Sequence, residues 1–182
     1  MSNHKIKKVE FNLNEVISSL KKTPAILNEY LGNLPESLIH SNEGGETWSP
    51  YDIIGHLIHG EKTDWIVRTE IIISNSENKA FEVFDRFAQF ENSKGKTLRQ
   101  LLIEFESLRT TNLLKLKSMN ISEEMLKMEG IHPEFGPVNL QQLLTTWMVH
   151  DMGHISQISR VMSKQYKTDV GPWAQYLKIL HD

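Results

Sequence analysis

Cysteine is absent from all 182 residues. That excludes disulfides, thiolate metal sites and covalent chemistry by a protein thiol. A metal would need nitrogen or oxygen ligands, and any thiol chemistry would need a thiol brought by a cosubstrate. No stretch approaches the roughly 18 uninterrupted apolar residues of a membrane-spanning helix. The polar opening, Met1 to Glu10, lacks the apolar core of a signal peptide. The expectation is therefore a cytoplasmic protein without membrane contact. Excess charge is scarce as well. The formal balance of −3 argues against nucleic-acid binding by phosphate neutralisation, and Lys5, Lys7 and Lys8 read as a short solvated cluster. Internal repeats, low-complexity tracts and a convincing strand alternation are also missing.

Helical periodicity is present almost throughout. With 39% apolar and 24% charged residues, the chain has the composition of one soluble domain with a full core. We expect a tail over residues 1–12 and a single domain over 13–182. A first helical region runs from Leu13 to Leu31, interrupted at Thr23-Pro24. The second begins where Ser49 can cap, Pro50 suits the first position and Asp52 can close a capping box, and it continues to Ile73. Residues 74–96 form a long connection whose Phe81, Phe84, Phe87 and Phe90 should fold over a bundle end. Thr97 and Gln100 open the third helix, which runs to Ser118 with Leu98, Leu101, Leu102, Phe105, Leu108 and Asn112 on its inner stripe. A short helical piece over Ser122 to Met128 and a loop punctuated by Gly130, Pro133, Gly136 and Pro137 follow. Asn139 and Gln142 open the fourth helix, which lasts to Tyr166, and Gly171-Pro172 introduces a last short helix ending near Leu180. The fold class is all-α, a four-helix bundle with a short extra C-terminal helix.

The fourth helix carries the most informative feature. At about 100° per residue, Leu140, Leu143, Trp147, His150, His154, Ile158 and Val161 share one stripe roughly 80° wide. Two imidazoles thus stand where leucines belong, and their ring nitrogens must be satisfied or desolvation costs a few kcal/mol. The i,i+4 spacing aims both rings at one point, and a metal ion is an economical partner. On the second helix His56 lies about 60° from Ile53, with the small Gly60 and Thr63 beside it on the wheel. Three neutral imidazoles from two helices with an open position would make a catalytic-type zinc site. The blander reading makes all three satisfied core histidines. His59 falls further from the core, as surface or pocket rim. His4, His40, His132 and His181 sit in loops or near the ends, where exposure is expected.

His150-Asp151-Met152-Gly153-His154 approaches the HExxH protease pattern with Asp for Glu. The shorter acid, the lack of a third ligand downstream and the turn of Asp151 about 100° from His150 argue against it. Asp151 then reads as a solvent-facing carboxylate or one supporting a ligand. Glu61 and Arg68 fall on the core side of the second helix. A buried Glu61 needs a partner, with Arg68, Arg86 or Arg160 as candidates, unless it serves as a pocket acid. Trp48, Trp65, Trp147 and Trp173 read as core and bundle-end packing, with Trp147 placed to wall a pocket.

Trp48-Ser49-Pro50 through Ile54-Gly55-His56-Leu57 resembles the second-helix motif of the DinB-like, or DNA-damage-inducible, proteins. The segment from Trp147 through His150-Asp151-Met152-Gly153-His154 to Ile158 resembles their fourth-helix motif. Phe84-Asp85-Arg86 and Gly171-Pro172-Trp173 also fit, so the likeness covers the chain from about Leu13 onward. The resemblance implies a metal-binding four-helix bundle, often dimeric, with zinc or nickel on His56, His150 and His154. Some relatives are transferases using bacillithiol, mycothiol or glutathione; many have no known activity.

Two function classes follow. In the first, a metal-dependent transferase activates a low-molecular-weight thiol (or water, in a hydrolase variant) against a small electrophilic substrate. The histidines only hold the ion, and no protein group is assigned as catalytic. In the second, the same triad belongs to a non-catalytic metal- or ligand-binding stress-response protein. A homodimer pairing through the aromatic connection is expected in either case.

Overall fold

The computed structural model describes residues 9–181; residues 1–8 of the expected tail, with His4 and the lysine cluster, lie outside the described residues. The helices are α1 (Leu13–Leu31), α2 (Glu36–Ile39), α3 (Pro50–Thr63), α4 (Trp65–Ile73), α5 (Ala88–Asn92), α6 (Leu98–Ser118) and α7 (Leu140–Gln165). The long helices α1, α3 with α4, α6 and α7 make a four-helix bundle. Local chemistry explains their starts. Asn12 accepts from the backbone of Asn14 and Glu15 to cap α1. Ser49 with Asp52, Thr97 with Gln100 and Asn139 with Gln142 each form a reciprocal capping box, satisfying donors that a helix end otherwise leaves open. No helix among the described residues is long and apolar enough to cross a membrane.

Four local expectations are corrected. Pro24 does not interrupt α1 but lies inside it. Proline lacks an N–H, so the Leu20 carbonyl loses its helical donor; Arg109 Nη1 donates to it instead at 2.8 Å. The second helix is broken at Asp64, whose φ of −112° and ψ of −81° are non-helical. The expected loop contains an antiparallel hairpin, β1 (Glu129–His132) with β2 (Gly136–Asn139). Phe81 N–H donates to Ile131 O and Ile131 N–H to Lys79 O, each at 2.9 Å, tying the aromatic connection to that hairpin. Gly130 makes this possible: a Cβ there would lie 2.4 Å from Phe81 Cε1. Finally, the two short helical pieces are 3₁₀ turns, at Met125–Lys127 and at Gly171–Tyr176 with Lys178–Leu180. Trp173, 69% exposed, packs in no core.

The core divides into two apolar halves. One gathers Leu27 and Leu31 of α1, Ile53 and Leu57 of α3, Leu101 and Phe105 of α6, and Ile158 and Val161 of α7. The other gathers Val16 and Leu20 of α1, Trp65 and Ile72 of α4, Leu113 and Leu116 of α6, and Leu140 and Trp147 of α7. On α3, α6 and α7 the residues between the halves are polar: Glu61, Arg109, Asp151 and the three clustered histidines. The bundle therefore carries a polar layer at mid-height, and the site lies in it.

Candidate metal centre

His56 on α3 meets His150 and His154 on α7, with one ligand nitrogen of each within 4.8 Å of the others. His150 Nε2 lies 3.1 Å from His56 Nε2 and 3.0 Å from His154 Nε2. His154 Nδ1 sits 2.8 Å from Gln157 Oε1. The amide oxygen only accepts, so Nδ1 carries the proton and Nε2 turns its lone pair toward His150. A neutral imidazole nitrogen holds one proton or one lone pair, so His150 Nε2 cannot hydrogen-bond fully to both neighbours. A cation resolves the conflict: four-coordinate zinc with Zn–N of about 2.0–2.1 Å spaces its ligand nitrogens about 3.3 Å apart. The three residues fit such an ion.

Burial keeps the rings neutral. It lowers the His56 pKa to about 3 and the His150 pKa to about 2, with neighbouring positive charge adding to the effect. His154 is lowered by burial as well, against the Gln157 bond and Asp151. His56 Nδ1 and His150 Nδ1 are buried without hydrogen-bond partners, so aromatic packing orients those rings. Trp48 lies against His56 at a centroid distance of 4.8 Å, Phe84 meets it edge-on at 5.4 Å, and Trp65 meets His150 at 5.0 Å.

The rings open into a cavity of about 340 Å³. Its walls include Trp48, Gly60, Trp65 and Phe84, with Asp64, Arg68 and Arg86 toward one side and His132, Glu134 and Phe135 of the hairpin toward the mouth. Gly60 lines it as expected; Thr63 does not, donating instead to His59 O beside a neighbouring cavity. His59 stays out of the cluster and lies against Phe84 at 4.8 Å. His132 was expected to be exposed, yet it is half-buried at the cavity, stacked on Phe135 at 4.4 Å. His40 and His181 are exposed.

The partner of Glu61 is none of the three arginines expected. Arg68 pairs with Asp64, Arg160 with Glu43, and Arg86 approaches Glu134. Glu61 meets Arg109 of α6, whose Nε and Nη2 donate to Oε1 at 3.0 and 2.8 Å. Arg109 also donates to both Asp151 oxygens, at 2.6 and 3.0 Å. Asp151 is thus buried rather than solvent-facing, because α7 packs against α1 and Arg109 reaches it from α6. Asn112 Nδ2 and Trp147 Nε1 complete the carboxylate of Glu61. Trp147 is core here and does not line the cavity. This network fixes α3, α6 and α7 to one another directly beneath the triad. Arg109 was legible in principle: it follows Phe105 by four residues and precedes Asn112 by three, on the same stripe.

A family model described as the DinB superfamily matches residues 19–158. Among solved structures, YfiT from Bacillus subtilis, described as a probable metal-dependent hydrolase with an unusual four-helix bundle topology, matches with a TM-score of 0.73. The two chains are 18% identical, over 90% of this chain and 93% of that one, a likeness of fold. No curated protein matches the chain in sequence.

Proposed function

The chain belongs to the DinB superfamily, and from that premise we propose that it is a metal-dependent enzyme acting on a small electrophile. His56, His150 and His154 hold one divalent ion, zinc or nickel, and a low-molecular-weight thiol or a water attacks the substrate in the adjoining cavity. The observation that carries this reading is the convergence of three neutral rings at His150 Nε2, which hydrogen bonding cannot satisfy. With only neutral ligands an ion keeps its full charge, and it makes a coordinated water or thiol acidic enough to ionise near neutrality. Three protein ligands, rather than the four of a closed structural site, leave room for that group.

The protein's own part is to position the three rings. Gln157 holds His154, the aromatic walls hold His56 and His150, and the Arg109 network fixes the helices that carry them. A chain without cysteine must receive any thiol from solution. The description of YfiT as a probable metal-dependent hydrolase supports the water alternative. We extend the proposal to a homodimer. Phe87 and Phe90 stack on each other yet are 70% and 43% exposed beside Val83 at 77%, an apolar patch that a second copy would cover.

Metal content of untagged protein beside His56→Ala and His150→Ala is the first test, with one ion per chain expected and lost in both variants. The loaded protein is then offered 1-chloro-2,4-dinitrobenzene with glutathione, bacillithiol or mycothiol, and p-nitrophenyl acetate without thiol. Turnover in one arm is expected. Bound metal with no turnover in either refutes the enzyme and leaves the non-catalytic binding protein; no metal refutes the centre itself. A monomer in sedimentation at micromolar concentration would overturn the dimer.

A further inference from the structure

Transfer or hydrolysis needs a group that takes a proton from the attacking water or thiol and returns it to the leaving atom. The carboxylates nearest the triad in sequence or packing cannot do this. Asp151 and Glu61 are held by Arg109 behind Trp147, and neither lines the cavity. Among the described residues two acidic side chains line it, Asp64 and Glu134, and Glu134 is 61% exposed at the mouth. Asp64 is 8% exposed. It stands at the break between α3 and α4, where the non-helical backbone turns its side chain to the cavity that the three histidines share.

We propose that Asp64 is the general base and acid of the reaction at the triad. The inference rests on the metal-dependent reading above. Its carboxylate takes the O–H or S–H proton of the nucleophile as the nucleophile's electron pair forms a bond to the electrophilic carbon. The bond to the leaving atom then breaks. A basic leaving atom receives the proton from Asp64, whereas a weakly basic one such as chloride departs as the anion and the proton passes to solvent. In either case the carboxylate is restored. Arg68 holds the group in place: its Nε lies 2.7 Å from Oδ1, although its N–H is not aligned for a hydrogen bond to that oxygen. The guanidinium also packs 5.1 Å over the Phe81 ring. Burial pushes the Asp64 pKa up to about 6 against the pull of Arg68, near the pH at which proton transfer in both directions is efficient. Besides Arg68, the other titratable groups around the cavity are His150 and His154 of α7, His56 of α3, Arg86 of the connection, and His132 and Glu134 of the hairpin.

The test uses the full chain, wild type and Asp64→Asn: carboxyl ¹³C titration of labelled aspartate on the metal-free protein, and zinc content, melting temperature and kcat against pH on the zinc-loaded protein with the probes above. We expect one wild-type aspartate to titrate near the raised value. The variant should keep its zinc and lose about 100-fold or more in kcat together with the acidic limb. A purely structural Asp64 would change the melting temperature and leave the pH profile in place. No aspartate titrating above its ordinary range, a readout independent of whether the variant folds, overturns the proposal. So does a zinc-loaded variant within about threefold of wild type with its acidic limb intact. Absence of zinc from the wild type, or a zinc-loaded wild type inert toward every probe, strikes instead at the metal-dependent enzyme reading and takes this inference with it.

Discussion

Replacing Arg109 with alanine removes five hydrogen bonds at once: two to Glu61, two to Asp151 and one to the Leu20 carbonyl. Glu61 keeps Asn112 and Trp147, but Asp151 loses both hydrogen bonds to its carboxylate while only 3% exposed. Breaking a buried ion pair from one side costs about 3–5 kcal/mol, a large part of the roughly 5–15 kcal/mol that holds a domain together. The cost should depend on pH. Burial already raises the Glu61 pKa, with Arg109 the chief opposing influence, so its loss raises that pKa further. A carboxyl raised above its unfolded value costs stability as pH climbs from the unfolded pKa through the folded one. Urea unfolding of both proteins in chelator should therefore show a smaller deficit at about pH 5 than at about pH 8. A deficit below about 1 kcal/mol, or one independent of pH, would refute the assignment of Arg109 as the partner that makes these buried carboxylates tolerable.

Gly55→Ala should cost about 1–3 kcal/mol by chemical denaturation, because its Cβ would meet Ser93 Oγ at 2.4 Å and lift the turn after α5 from α3. A deficit within error would show that Ser93 yields freely. Gln157→Ala frees the His154 ring, and competition with a fluorescent chelator should show zinc affinity reduced about 10–100-fold, against unchanged affinity if Gln157 plays no orienting part. Asp64, raised to about 6, should cost wild type stability relative to Asp64→Asn as pH rises from about 4 through 6, by an amount on the order of 2–3 kcal/mol. Parallel stability profiles for the two proteins would contradict the raised value.

The four long helices and their first residues were legible because capping is local. Ser49, Thr97 and Asn139 each meet a partner three residues on, whatever the tertiary packing. The triad was legible because a helical wheel needs only the sequence, and it placed His56, His150 and His154 toward the core, where they meet. What escaped depended on contacts between distant segments. The hairpin strands are short and broken by Gly130, Gly136 and Pro137, and their order comes from Phe81 packing and the Lys79 and Phe81 backbone bonds. Glu61 was placed inside, but its partner Arg109 lies 48 residues away on another helix, whereas the expected partners were Arg68, Arg86 or Arg160. Asp151 was turned outward because a wheel assumes one buried face, whereas α7 is covered on more than one.

Because Pro24 frees the Leu20 carbonyl, even α1 contributes to the Arg109 guanidinium, alongside Glu61 of α3 and Asp151 of α7. No three of the four helices can assemble around that cation and leave its partners complete. An early collapsed species lacking one helix must either hydrate Arg109 or strand a charge, so ordering of the layer falls late and draws all four helices into a single cooperative step. The same dependence makes the protein a poor candidate for cutting into independently folding halves: a fragment ending before α7 would lose apolar partners from both core halves and also lack Asp151 for Arg109.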